Sequence, residues 1–394
     1  MVDWKAIMRW GSKVNASDIF WKPGAMPHAR IQGRVQKIPE QEPLSPDDTE
    51  AIARELMDDE DWKEFRKYPE KDIGLTIGDD CRLRINVYQE RENVALVMRI
   101  IPLDIMTIDE LDLPEVLQDI ALKPQGLVLV TGPTGCGKST TLAAMLDLIN
   151  RKRQAHIVTI EDPIEYVHKD KKSIVSQRAV GIDTDDFQDA LKYAMRQSPD
   201  VILIGEMRDV TTMSVAMQAA ETGHLVFSTV HTTSAAETME RIVNMFPPHD
   251  KPQICMRMSK SLQAVISQSL VPRKETGRIA AVEVMVVTPT VSKYIEEGKI
   301  GETYEAIQEG EHWGMQTMNQ SLLKLYKDDI ITADDAMFYA GNYTEMRQML
   351  RRVDGLAKDK AQEDAEKRAK QKRMAQARKR QNTGQPSGSG EGGG

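Results

Sequence analysis

At roughly 150 residues per domain, a chain of 394 residues is expected to fold as two or three domains. A composition that is 40% hydrophobic and 28% charged is that of an ordinary soluble globular protein, and it excludes disorder along the whole chain. The net charge of −8 is uneven: from Gly355 onward ten Lys/Arg face five Asp/Glu, which leaves −13 on the first 354 residues, a poor surface for nucleic-acid phosphates.

The chain opens Met1-Val2-Asp3-Trp4-Lys5, with no apolar secretory segment. Its longest apolar runs, such as Gly126–Val130, fall far short of the roughly 20 residues of a spanning helix, so the expected location is the cytoplasm. Residues 1–105 read as a small α+β domain. It begins with a helix at Trp4–Val14 and short β-like pieces around Ala29–Val35. A helical stretch follows at Pro46–Lys67, with Ser45 as cap and Pro46 at the first helical position. In Cys81–Ile101 the residues Leu83, Ile85 and Val87 point one way and Arg82, Arg84 and Asn86 the other, the period of a half-buried strand. Residues 106–125 read as a linker with a short helix.

Over residues 126–354 the texture becomes α/β. Short apolar runs (Gly126–Val130, His156–Ile160, Val201–Ile204, Leu225–Ser228) alternate with amphipathic segments of helix length, as parallel strands covered on both faces require. Ile295–Arg352 reads as helical throughout, a helical appendage. Residues 355–394 form a basic tail. Lys358–Arg380 pairs Glu363 with Lys367 and Asp364 with Arg368 at i,i+4 but lacks an apolar stripe, which makes it a solvated, marginal helix. Gln381–Gly394 is Gly/Ser-rich and expected to be disordered. Three widely separated cysteines, Cys81, Cys136 and Cys255, cannot build a disulfide framework or a four-cysteine zinc site.

The sharpest signal is Gly132, Pro133, Thr134, Gly135, Cys136, Gly137, Lys138 and Ser139, followed by Thr140, which fits G-x-x-x-x-G-K-[ST]. A strand, Leu127–Thr131, enters it and a helix, Ser139–Asn150, leaves it. The glycines let consecutive N–H groups turn toward one anionic centre, backed by the helix N-terminus. Lys138 then reaches the β- and γ-phosphates, and the Ser139 hydroxyl joins a Mg²⁺ shell. This is a nucleoside-triphosphate site. Cys136 is expected to be a small side chain tolerated there, with a redox-active thiol as the lesser reading.

Hydrolysis needs a further carboxylate for the metal and a group that orients water. Two acidic clusters end apolar strands: Glu161-Asp162-Pro163-Ile164-Glu165, and Glu206 after Asp200–Gly205. Ligands bind at the carboxyl ends of such strands, so both clusters are expected to converge on Lys138; Asp162 also reads as a helix cap. His224 and His231 flank a further short strand without metal-ligand spacing. Sensing the γ-phosphate and relaying its loss to a neighbour is one role for them, and an ordinary structural role stays open.

Together these segments resemble the type IV pilus retraction ATPases, the PilT/PilU branch of the secretion ATPase superfamily. The likeness runs over residues 1 to about 352 and rests on Gly132–Thr140, Thr159–Tyr166, Asp200–Asp209 and Thr222–Thr232, with Ala16–Ile19 and Arg82–Asn86 in the first domain. The resemblance implies a PAS-like α+β N-terminal domain followed by a RecA-like P-loop ATPase domain with a C-terminal helical appendage, assembled as a homohexamer. It implies that Glu161 orients water, that Glu206 helps hold Mg²⁺, that His224 and His231 form a histidine pair, and that Arg84 and Arg99 reach the phosphates. The implied function is a Mg-ATP-hydrolysing motor for pilus retraction and twitching motility. It would sit against the inner membrane through a pilus platform protein, with a paralogous retraction ATPase as a further partner and no nucleic acid. One segment departs. Where retraction motors carry a motif close to AIRNLIRE, Thr290–Glu297 keeps only Ile295 and Glu297, so a PilU-like accessory subunit dependent on a partner ring is the alternative.

Overall fold

The computed structural model describes residues 2–355, apart from 15, 32, 79, 80, 102 and 103. The expectations for the tail, a marginal helix at Lys358–Arg380 and a Gly/Ser-rich end, lie outside the described residues.

The first part runs α1 (Trp4–Lys13), β1 (Ala16–Trp21), β2 (His28–Ile31), β3 (Arg34–Lys37), α2 (Pro46–Leu56), α3 (Asp59–Lys67), β4 (Glu70–Ile77), β5 (Cys81–Glu90) and β6 (Asn93–Ile101). Its strands form one antiparallel sheet, in the order β3-β2-β1-β6-β5-β4. One face carries the core. Leu83, Ile85 and Val87 of β5 and Leu96 and Met98 of β6 pack with Trp4, Met8, Ile52 and Phe65 from the helices. The alternation expected for Cys81–Ile101 is present in β5, with Arg82, Arg84 and Asn86 on the opposite, half-buried face, whereas in β6 Val94, Ala95 and Leu96 are all buried. The helical stretch expected over Pro46–Lys67 is present as two helices. Met57 is extended, and the Asp58 side chain accepts hydrogen bonds from the N–H groups of Glu60 and Asp61. A short acid placed to cap a new start outweighs continuation through this region. The first of the two begins as expected, with Pro46 at its first turn and Ser45 and Asp48 in a reciprocal capping box.

The second part runs α4 (Val116–Ala121), β7 (Gly126–Thr131), α5 (Lys138–Lys152), β8 (His156–Glu161), β9 (Ile174–Ala179), α6 (Phe187–Ala194), β10 (Val201–Ile204), α7 (Val210–Glu221), β11 (Leu225–Val230), α8 (Ala235–Met245), α9 (Lys251–Ser261), β12 (Leu262–Pro272) and β13 (Arg278–Val286). These strands form one sheet in the order β13-β12-β7-β11-β10-β8-β9. Every neighbouring pair is parallel except the β12–β13 hairpin. Helices cover both faces. Leu127 and Leu129 of β7 pack with α7, α8 and α9, while Val128 and Val130 pack with α4 and α5. Residues expected to form a linker contribute Ile108, Leu113, Leu117 and Ile120 to that second core.

The helical stretch expected from Ile295 is broken into α10 (Pro289–Glu296), α11 (Thr303–Glu309), α12 (Met318–Lys327), α13 (Ala333–Phe338) and a last helix over residues 343–355, with two short 3₁₀ turns between. One interruption is Gly314, whose φ of 74° is left-handed and where a Cβ would strike Val116. Met318, Leu322, Leu325, Met346 and Leu350 pack against Val271, Ile279 and Ala281 of the β12–β13 hairpin. Among the described residues no helix is long and apolar enough to cross a membrane.

Candidate active site

The carboxyl ends of β7, β8, β10 and β11 lie side by side because the pairing is parallel and in step: Thr131 is level with Val230, and Ile204 with Ser228 and Ile160. Each strand hands over to a residue singled out by its motif. After β7 comes Gly132, β8 ends on Glu161, Gly205 and Glu206 follow β10, and His231 follows β11. Topology thus gathers four separate motifs along one edge.

The loop at Gly132–Ser139 is held from below by β12. Gly132 has φ 141°, and a Cβ there would come within 2.4 Å of the Gln268 carbonyl oxygen. The buried Gln268 side chain donates to the Cys136 carbonyl at 2.7 Å and accepts from the Thr141 hydroxyl at 2.9 Å. Beside it the Thr131 hydroxyl donates to Ser267 Oγ at 2.9 Å. Gly137, at φ 94°, opens α5 with no side-chain cap, so no capping side chain covers the positive end of the helix, where an anion is favoured. Lys138 is buried, its ammonium donating to the carbonyls of Gly132 at 2.8 Å and Pro133 at 3.0 Å. Thr140 shares a 2.9 Å hydrogen bond with the Tyr166 hydroxyl. Burial pushes the Cys136 thiol up, against the reactive-thiol reading.

Glu161 lines a cleft with Ser139, Leu142, Tyr166, His168 and Gly205. It accepts from the Thr159 hydroxyl at 2.6 Å, from Gln177 Nε2 at 3.1 Å and from the Glu165 N–H at 3.4 Å. Burial pushes its carboxyl above the usual range, and the donors pull it partly back. A carboxylate with a raised proton affinity beside a P-loop is suited to accept a proton from water. Glu206 forms an ion pair with Arg208, and His231 Nε2 lies 3.8 Å from its Oε2. Burial and the nearby positive charge of Lys138 lower the His231 pKa, against the opposing pull of Glu206. Lys138, Glu206 and His231 therefore share one electrostatic neighbourhood. The donor set suits a hard dication: Ser139 offers a hydroxyl and Glu206 a carboxylate, both oxygen ligands.

Three expected site residues lie elsewhere. His224 precedes β11, roughly 20 Å from His231 at the strand's rise per residue, with its ring Nδ1 3.0 Å from the Ala219 carbonyl. Arg84 and Arg99 face each other across β5 and β6 in the first sheet. Arg99 donates to Asp18 at 3.0 Å, and among the described residues neither arginine bonds to the P-loop. Residues that motif reading missed are Gln268 and Gln177. The hairpin carrying Gln268 has a legible signal, two runs of apolar and β-branched residues around a turn at Gly277; nothing in the pattern singles out either glutamine.

Comparison with known proteins places the chain. The family described as type II/IV secretion system protein matches residues 4–351. The type IV pilus retraction ATPase PilT of Pseudomonas aeruginosa is 43% identical over 335 residues, which cover 85% of this chain and 97% of that protein. The type IV pilus ATPase PilU of the same organism is 38% identical, over 89% of this chain and 92% of its own length. A crystal structure of the pilus retraction motor PilT with bound ADP superposes with a TM-score of 0.83 at 40% identity, covering 88% of this chain and all of that one.

Proposed function

Because the chain belongs to the type IV pilus retraction ATPase family, a family of ATP-hydrolysing enzymes within the type II/IV secretion proteins, we propose that it is a hexameric Mg-ATP-driven motor for pilus retraction and twitching motility. The observation that carries this reading is the meeting of the P-loop, Glu161, Glu206 and His231 on one edge of the second sheet. In it the N–H groups at the start of α5 and the Lys138 ammonium bind the phosphates of ATP, the lysine exchanging the carbonyls of Gly132 and Pro133 for phosphate oxygens. Ser139 and Glu206 would hold Mg²⁺, which would supply positive charge to offset that of the phosphates. Glu161 orients the attacking water and takes its proton. His231, beside Glu206, responds to the state of the phosphates, and His224 at the other end of β11 carries that response away from the site.

The first sheet, antiparallel with helices on one face, supports the PAS-like reading, and the second sheet supports the RecA-like one. Arg84 and Arg99 reach phosphate only from a domain that moves or from a neighbouring subunit, and this is why a closed ring is part of the proposal. Arg99 leaves its ion pair with Asp18 to do so. The ring works in the cytoplasm against an inner-membrane platform protein, with a paralogous retraction ATPase as a further partner. The departed segment forms α10, where Val291 and Ile295 keep the buried positions and Ser292 and the exposed Glu296 stand where the family motif has arginines. Packing is retained while surface charge is changed, the pattern expected if this face meets a different partner. The test is ATP turnover with Glu161→Gln as control: loss of turnover with Mg-ATP still bound supports the reading, and turnover at the wild-type rate overturns it.

A further inference from the structure

We infer that Gln177, on the edge strand β9, is the positioning residue for Glu161, fixing which carboxylate oxygen meets the attacking water. The inference rests on the reading of Glu161 as the group that orients and deprotonates that water. Gln177 spends three hydrogen-bonding positions at this point. Its Nε2 donates to Glu161 Oε1 at 3.1 Å and to the Tyr166 carbonyl at 2.8 Å, and its Oε1 accepts from the His168 N–H at 2.8 Å. One side chain ties the carboxylate to the segment that closes the cleft beside it.

Strand register explains how. Thr159 of β8 pairs directly with Gln177 of β9, and Glu161, two residues on from Thr159, stands on the same sheet face. Thr159 and Gln177 both donate to Oε1, at 2.6 and 3.1 Å. Among the described residues Oε2 has just the long contact to the Glu165 N–H at 3.4 Å. With Oε1 occupied twice over, Oε2 is the oxygen open to a proton from water. Glu165 is the charged neighbour that acts against the ionised form. Across the cleft stand Ser139 from α5, with Tyr166 and His168, and burial keeps His168 neutral, with its pKa lowered to about 4.

The sign of the pH effect follows. A base works ionised, so turnover falls as pH drops through its pKa. Gln177 donates to the ionised form; removing it destabilises the anion and moves the acid limb to higher pH.

The experiment is steady-state Mg-ATP turnover of the full chain across about pH 5.5 to 9 for wild type, Gln177→Ala, Gln177→Glu and Glu161→Gln. For Gln177→Ala the expected result is kcat lower by about tenfold, KM within about twofold, and an acid limb raised by about half a unit or more. Gln177→Glu keeps the size and the acceptor for His168 but sets a second carboxylate on Glu161, and its limb moves further. An unmoved limb in both variants, or a loss expressed in KM and melting temperature alone, overturns the role of Gln177 while an inactive Glu161→Gln leaves the base in place. Wild-type turnover by Glu161→Gln removes the base itself and the inference with it.

Discussion

Lys138 is buried and Glu161 half-buried, and their surroundings are set for different tasks. Lys138 is held by two loop carbonyls, which phosphate oxygens can replace. Lys138→Ala is therefore expected to abolish productive ATP binding, read by nucleotide titration. Glu161→Gln keeps the shape and the Thr159 contact but cannot take a proton; turnover is expected to fall by about 100-fold or more with Mg-ATP still bound. His168 offers a stability test. Its pKa is lowered to about 4 by burial, so the unfolded chain binds a proton between there and its ordinary value of 6.5 and the folded chain does not. The contribution of the neutral ring is present above pH 6.5 and is lost as pH falls toward 4, by up to about 3 kcal/mol. Melting temperatures across that window should fall less steeply in His168→Phe than in wild type, beyond any constant offset between the two.

The motif-bearing loops were legible because each is contiguous: Gly132–Ser139 follows directly on its strand, β7, and runs directly into its helix, α5. Gln177 and Gln268 were not, because their meaning lies in pairing across strands 16 and 132 residues away from Glu161 and Cys136. Likewise, the break between α2 and α3 depends on the Asp58 side chain turning back to its own helix start, a choice that apolar periodicity does not record. The β12–β13 hairpin shows what was lost by reading only the parallel strands. Through Gln268 it braces the P-loop, and through Glu283 it accepts the Ala235 N–H at 2.8 Å, anchoring the start of α8 just beyond His231. Gln268→Ala removes the partners of the Cys136 carbonyl and the Thr141 hydroxyl inside a buried site, a loss of about 1–3 kcal/mol for each group left unpaired. Slackening of the loop should raise the KM for ATP by about tenfold or more, with the fold retained by circular dichroism.

At the scale of the molecule, two sheets with separate cores carry complementary parts of the proposed chemistry. The second sheet holds the phosphate loop and the acids; the first holds Arg84, half-buried, and Arg99, exposed, side by side. If those arginines complete the site between moving domains or subunits, Arg84→Ala should lower turnover by about tenfold or more and leave nucleotide affinity nearly unchanged. The measurement closest to the central claim is steady-state Mg-ATP turnover by the purified chain, with Glu161→Gln as control and the mass of the active species recorded in the same sample. Robust turnover by a six-subunit species, lost in the control, is the expected result. Turnover by a monomer, or by Glu161→Gln at the wild-type rate, would contradict it.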